Sequence, residues 1–213
     1  MSLYLYFLIA SILAGLTVYI RNTVPRYLKL LPIYLALTLI VEIIATWLEE
    51  TNQSNLVIYS IYYVINFSFY LFIIRSVLES RFIKKVIFIF IVLFELVAIF
   101  NIIFVQNIYT WNSFNYSIGS LLVVTFSIYY FFELFKRPKA IKLSKEPSFW
   151  ICTALLFYYT CSFPLLGLNN FLTSLPDSLI RSLMDILILL NVLLYSLFTI
   201  GFLSRVTFKK PVI

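Results

Sequence analysis

Long apolar runs separated by short polar breaks dominate this chain. Seven such runs stand at about Leu3 to Ile20, Leu30 to Leu48, Leu56 to Val77, Lys85 to Val105, Phe114 to Phe135, Phe149 to Leu168 and Leu179 to Leu203. Each approaches the ~20 residues that an α-helix needs to cross the hydrocarbon core of a bilayer. The runs are apolar on nearly every side, whereas membrane barrel strands alternate over segments of about ten residues. The pattern therefore predicts an all-α polytopic membrane protein, a bundle of seven transmembrane helices. The longest break, Lys136 to Ser148, is too short to fold alone, so residues 1–213 are expected to form one membrane domain with no soluble domain.

Composition excludes the soluble alternative. With 62% hydrophobic and only 12% charged residues, the chain has too little polar surface to cover a water-facing globule. Disordered, collagenous, disulfide-rich and nucleic-acid-binding classes each need a residue class that is scarce here.

Charge then gives an orientation. Arg21, Arg26 and Lys29 follow the first run, and Arg75, Arg81, Lys84 and Lys85 lie between the third and fourth. Lys136, Arg137, Lys139, Lys142 and Lys145 separate the fifth from the sixth, and Arg205, Lys209 and Lys210 follow the seventh. Fifteen of the sixteen cations thus fall on one side, leaving Arg181 on the other with Glu49, Glu50 and Asp177. Because Lys and Arg near span ends are retained in the cytoplasm, the N-terminus is expected outside and the C-terminus cytoplasmic. The first cation follows the first run instead of preceding it, unlike a cleaved signal, so that run is expected to remain as an anchor. The net charge of +7 assigns the basic loops to anionic lipid headgroups of the bilayer, with no nucleic acid implied.

Chemistry is constrained by what is missing. The chain has no His, which removes imidazole-ligated haem, His-based zinc and Ser-His or Cys-His catalysis, and no metal or cofactor is expected. Cys152 and Cys161 lie about 13 Å apart along one helix and cannot bond to each other.

Polar groups inside the runs are the default site candidates, since carrying them into lipid is costly. Glu42, Glu95 and Asp185 are the intramembrane acids. Tyr34, Thr38, Glu42 and Thr46 recur every four residues, and Tyr59, Tyr63, Asn66 and Tyr70 follow steps of four, three and four. Two such stripes are expected to face the interior and to hydrogen-bond, with Asn66 and the tyrosines as donors to Glu42; interhelical glue is the competing explanation. Arg181 and Asp185, one turn apart, suggest a structural ion pair. Pro164 predicts a kink or hinge with Gly167, followed by Asn169 and Asn170. Glu42, Tyr59, Tyr63, Asn66, Asn115, Tyr116, Asn169, Asn170 and Asp185 all map to the outer half of the membrane. Together they outline a polar, Tyr/Asn-lined pocket for a small ligand.

The stretch Asn55-Leu-Val-Ile-Tyr-Ser-Ile-Tyr-Tyr-Val-Ile-Asn66-Phe-Ser-Phe-Tyr70 has companions in Asn115-Tyr-Ser-Ile-Gly-Ser-Leu-Leu and in Glu146-Pro-Ser-Phe-Trp-Ile with Leu156-Phe-Tyr-Tyr. In this order they resemble an uncharacterised family of small seven-helix membrane proteins of the Bacteroidota, often encoded near sensor histidine kinases. The resemblance implies a signalling role in a bacterial cytoplasmic membrane. Many members carry Glu where this chain has Asn66. A retinal protein fits less well, because the last run holds no lysine for a Schiff base.

Three functions remain open. The first is a non-enzymatic receptor or sensor that binds a ligand in the outer pocket and signals to a partner protein or a homo-oligomer. The second is a transporter or oligomeric channel using Glu42, Glu95 and Asp185 as relay or selectivity ring. The third is an intramembrane hydrolase in which Glu42 and Asp185 activate water; lysoplasmalogenases are similar in size but have eight helices, where the charge pattern here favours seven.

Overall fold

A computed structural model describes residues 3–20, 24–136, 143–168 and 176–204. Seven helices account for nearly all of them: α1 (Leu3–Leu16), α2 (Arg26–Glu50), α3 (Leu56–Val77), α4 (Arg81–Phe104), α5 (Ser113–Phe135), α6 (Pro147–Ser162) and α7 (Asp177–Ser204). Among the described residues, seven helical segments are long and apolar enough to cross a membrane. The chain is, by length and composition, a multi-pass membrane protein.

Helix ends depart from the apolar runs in explicable ways. The first run finishes in a 3-10 turn, Thr17–Ile20. Helices α2 and α4 begin four residues before their runs, at Arg26 and Arg81, because long basic side chains keep their charge in water while their stems stay on the helix. Pro32 lies within α2, buried against Gly15 of α1, where an added Cβ would come within 2.6 Å of the Pro32 ring. The kink expected at Pro164 takes the form of a π turn over Phe163–Gly167, which widens the end of α6 without breaking it.

Helices α1, α2, α3, α6 and α7 form a closed ring, each packed on its neighbours, with α7 seated most extensively on α1 and α6. Helix α5 stands behind the ring against α3 and α6, and α4 lies outermost on α3 and α5. Accordingly α4 turns a broad apolar face outward, including Phe88, Leu93, Leu96, Phe100 and Phe104. A Cβ at Gly119 of α5 would overlap the ring of Phe67, so only glycine permits this approach of α5 to α3.

The two ends of the ring differ. Where α1 ends and α2 begins, Leu31, Leu35, Leu71, Ile74, Ile151, Leu155 and Phe198 are fully buried in a dry core. Toward the end where α1 begins, the same helices present tyrosines and a carboxylate to a cavity.

Candidate functional site

Every ring helix contributes to that cavity. Tyr4 comes from α1, Glu42 and Glu49 from α2, and Tyr59, Tyr62, Tyr63, Asn66 and Tyr70 from α3. Tyr158 and Tyr159 come from α6, and Met184, Leu187, Ile188, Asn191, Leu194 and Tyr195 from α7. Asn55, Trp111 and Leu166 complete the rim. The volume is about 520 Å³, within the roughly 300–1,000 Å³ of small-molecule sites. From Tyr59 to Tyr70 the lining runs about 16 Å along α3. That is about half of a ~30 Å hydrocarbon core, so the cavity ends near mid-bundle on the dry core.

Glu42 is anchored by one oxygen. Its Oε2 accepts hydrogen bonds from the Tyr4 hydroxyl at 2.7 Å and the Tyr59 hydroxyl at 3.3 Å. Its Oε1 has no partner among the described residues and is not sealed within the packing. The hydroxyls of Tyr63, Tyr70 and Tyr195 likewise have no hydrogen-bond partner among the described residues. Tyr70 and Tyr195 are only 3% and 4% exposed, yet their oxygens are not shut in. Buried polar groups nearly always have partners, so a cavity edged by several without one is prepared for polar contents.

The amides behave differently. Asn66 accepts from the Tyr34 hydroxyl at 2.7 Å and donates to the Tyr159 hydroxyl at 2.6 Å, joining α2, α3 and α6. Asn66 therefore does not donate to Glu42 as expected; the two stripes meet instead through Tyr34–Asn66, Thr38–Tyr62 at 3.1 Å and Tyr59–Glu42. Asn191 donates to the Leu187 carbonyl at 2.9 Å.

Of the residues singled out in the sequence, the structure brings Glu42, Tyr59, Tyr63 and Asn66 together. Asn115 lies outside the cavity, buried in an amide clasp on α3, α4 and α5: it accepts from Asn101 at 3.0 Å and donates to the Ala98 carbonyl at 3.3 Å. Asn101 also donates to Gln106 and Asn112, and Asn112 donates to Ser60 at 2.9 Å. Tyr116 is withdrawn as well, because α5 stands behind the ring; its hydroxyl pairs with Ser162 at 2.7 Å. Asp185 is exposed on α7, off the stripe of Met184, Ile188 and Asn191 by the ~100° turn between successive helical residues. Arg181 is exposed too, and the expected Arg181–Asp185 ion pair is not formed. Glu95 lies exposed on α4, outside the ring, so Glu42, Glu95 and Asp185 share no interior path. Asn169 and Asn170 lie outside the described residues.

Pro164 and Gly167 sit in the π turn, whose freed carbonyls are taken by neighbours. The Trp111 indole N–H donates to Leu166 at 2.8 Å and the Ser117 hydroxyl to Gly167 at 3.1 Å. A Cβ at Gly167 would lie 2.7 Å from the Ser117 oxygen, which ties glycine to this latch.

Tyr4, Tyr62, Tyr158, Tyr159 and Tyr195 are among the lining residues that sequence reasoning did not assign to the pocket. The signal on α7 was present in the spacing of Leu187, Asn191 and Tyr195, one turn apart. No residue pattern marks Tyr4. Cys152 is buried and Cys161 exposed, both as free thiols. Among the described residues no cluster of acids and cysteines is arranged to hold a metal ion. Compared with protein-family models, curated proteins and solved structures, the chain matches none of them.

Proposed function

We propose that the protein is a receptor-like sensor of a bacterial cytoplasmic membrane that binds a small polar ligand in this cavity and passes the binding event to a partner protein. The observation that carries the reading is the set of groups without a partner among the described residues, Glu42 Oε1 with the hydroxyls of Tyr63, Tyr70 and Tyr195, around one cavity. The charge asymmetry supports a mouth outside the cell, with the N-terminus outside and the C-terminus cytoplasmic.

A route for the signal is available at the rim. Trp111 and Leu166 both line the cavity, and the bond between them holds the π turn of α6. A ligand that displaces either side chain loads this latch, and α6 carries the movement toward the basic end of the bundle. There Arg26, Arg75 and Glu146 edge a second concavity between α2, α3 and α6, suited to a partner or to anionic headgroups. The core beneath the cavity favours reception over passage, since large, fully buried apolar side chains such as Leu71, Leu155 and Phe198 close the route. A two-acid hydrolase is disfavoured because Asp185 does not share the cavity with Glu42.

Accessibility tests the reading. In spheroplasts carrying Cys161→Ser, an impermeant maleimide added outside should label Ile188→Cys, on the cavity wall, and leave Phe198→Cys, in the dry core, unlabelled. Labelling of Ile188→Cys only after permeabilisation would reverse the orientation, and equal protection of both thiols would remove the open cavity.

A further inference from the structure

The ligand's chemical class can be narrowed, on the reading that the cavity is a binding site. An anion would need a cationic or multiple N–H donor set, and no Lys or Arg is among the described lining residues. Arg181 is exposed one turn of α7 beyond Met184 and does not line the cavity. The amides that reach into the cavity are largely committed within the protein, Asn66 at both ends and Asn191 through its donor, which leaves Asn55 at the rim as the lining amide without a side-chain partner among the described residues and disfavours a sugar-like neutral ligand further in. What remains is acceptor-rich and aromatic. Glu42 offers one unengaged oxygen, and Glu49 stands at the rim.

Aromatic rings that share the cavity with Glu42 are arranged as walls, beginning with Tyr59, whose hydroxyl meets the carboxylate. Tyr59 and Tyr63 lie side by side with centroids 5.9 Å apart and planes 24° apart. Trp111 stands almost perpendicular to Tyr63, at 5.5 Å and 77°. Ring faces carry negative quadrupole potential, and a carboxylate ionised by a cationic partner would add a full charge, the combination that selects organic ammonium groups. Hydroxyls of Tyr63, Tyr70 and Tyr195 then accept N–H bonds or meet a polar tail further in.

We propose that the cavity binds a small organic cation, its ammonium group set between the Glu42 carboxylate and the aromatic faces of Tyr59, Tyr63 and Trp111.

Charged thiol reagents test this in purified full-length protein in nanodiscs. The Ile188→Cys thiol, in a Cys161→Ser background with buried Cys152 unchanged, is modified with trimethylammonioethyl or sulfonatoethyl methanethiosulfonate, each rate normalised to free mercaptoethanol. The cationic reagent should react about tenfold faster than the anionic one, as one nearby carboxylate dictates. Tetramethylammonium should slow the cationic reaction, and Glu42→Gln should abolish both the preference and the protection. Met184→Cys, nearer the rim, repeats the measurement should Ile188→Cys fail to fold. Equal rates, or faster anionic modification, would overturn the cation proposal while leaving an open cavity. Failure of both reagents to react at both positions would overturn the cavity itself.

Discussion

Two polar clusters occupy the same half of the bundle, and they differ in what they leave over. In the clasp of Asn101, Asn112 and Asn115, amide donors are spent on neighbouring carbonyls and on Ser60, and the group fastens α3, α4 and α5. In the cavity, Glu42 uses one oxygen, and Tyr63, Tyr70 and Tyr195 keep their hydroxyls unengaged among the described residues. Both clusters are buried and rich in the same residue types. Hydrogen-bonding capacity left unused beside an open cavity, rather than polarity, separates a site from glue; the unpartnered oxygens of Ser11, Ser68 and Ser127 are instead sealed in packing.

Phe67 forms the wall between the two. Its ring packs on Tyr63 and Tyr159 on the cavity side and on Phe94 and Tyr116 on the other. Gly119→Ala should force this ring aside and cost about 3 kcal/mol, the largest effect expected, read as a lowered unfolding midpoint in detergent. Asn101→Ala comes next. It strips the clasp of its central donor and leaves buried carbonyl oxygens unpaired, for about 2 kcal/mol by the same assay.

Within the cavity wall the contrast sharpens at single hydroxyls. Tyr159→Phe removes the acceptor of Asn66 and should cost about 1 kcal/mol. Tyr63→Phe removes a hydroxyl with no partner among the described residues, so stability should change by less than about 0.5 kcal/mol. The same substitution should still weaken protection of the Ile188→Cys thiol by tetramethylammonium. Equal losses for Tyr63→Phe and Tyr159→Phe would erase the distinction drawn between site and glue.

The spans were legible because hydropathy integrates over about 20 residues and tolerates local error. The stripes on α2 and α3 were legible because lipid penalises polar faces, so their periodicity points inward. Partner choice was not legible. Asn66 and Asn115 look alike in sequence, yet one lines the cavity and the other is locked in the clasp, a difference set by α5 standing behind the ring. Tyr4 is one of three tyrosines in its apolar run, with Tyr6 and Tyr19, and its partner Glu42 lies on another helix. Asp185 invited attention as an intramembrane acid, but its position on α7 falls to the side of the lining stripe.

Oxidative footprinting by hydroxyl radicals compares the clusters in one experiment, since modification of a buried ring requires water beside it. Tyr70 and Tyr195 on the cavity and Tyr116 and Tyr130 in closed packing are all nearly buried, at 3%, 4%, 1% and 1% exposure. Residue-resolved mass spectrometry of the purified protein should find Tyr70 and Tyr195 oxidised several times faster than Tyr116 and Tyr130. Four tyrosines protected to the same degree would contradict a water-reachable cavity at the N-terminal end of the ring.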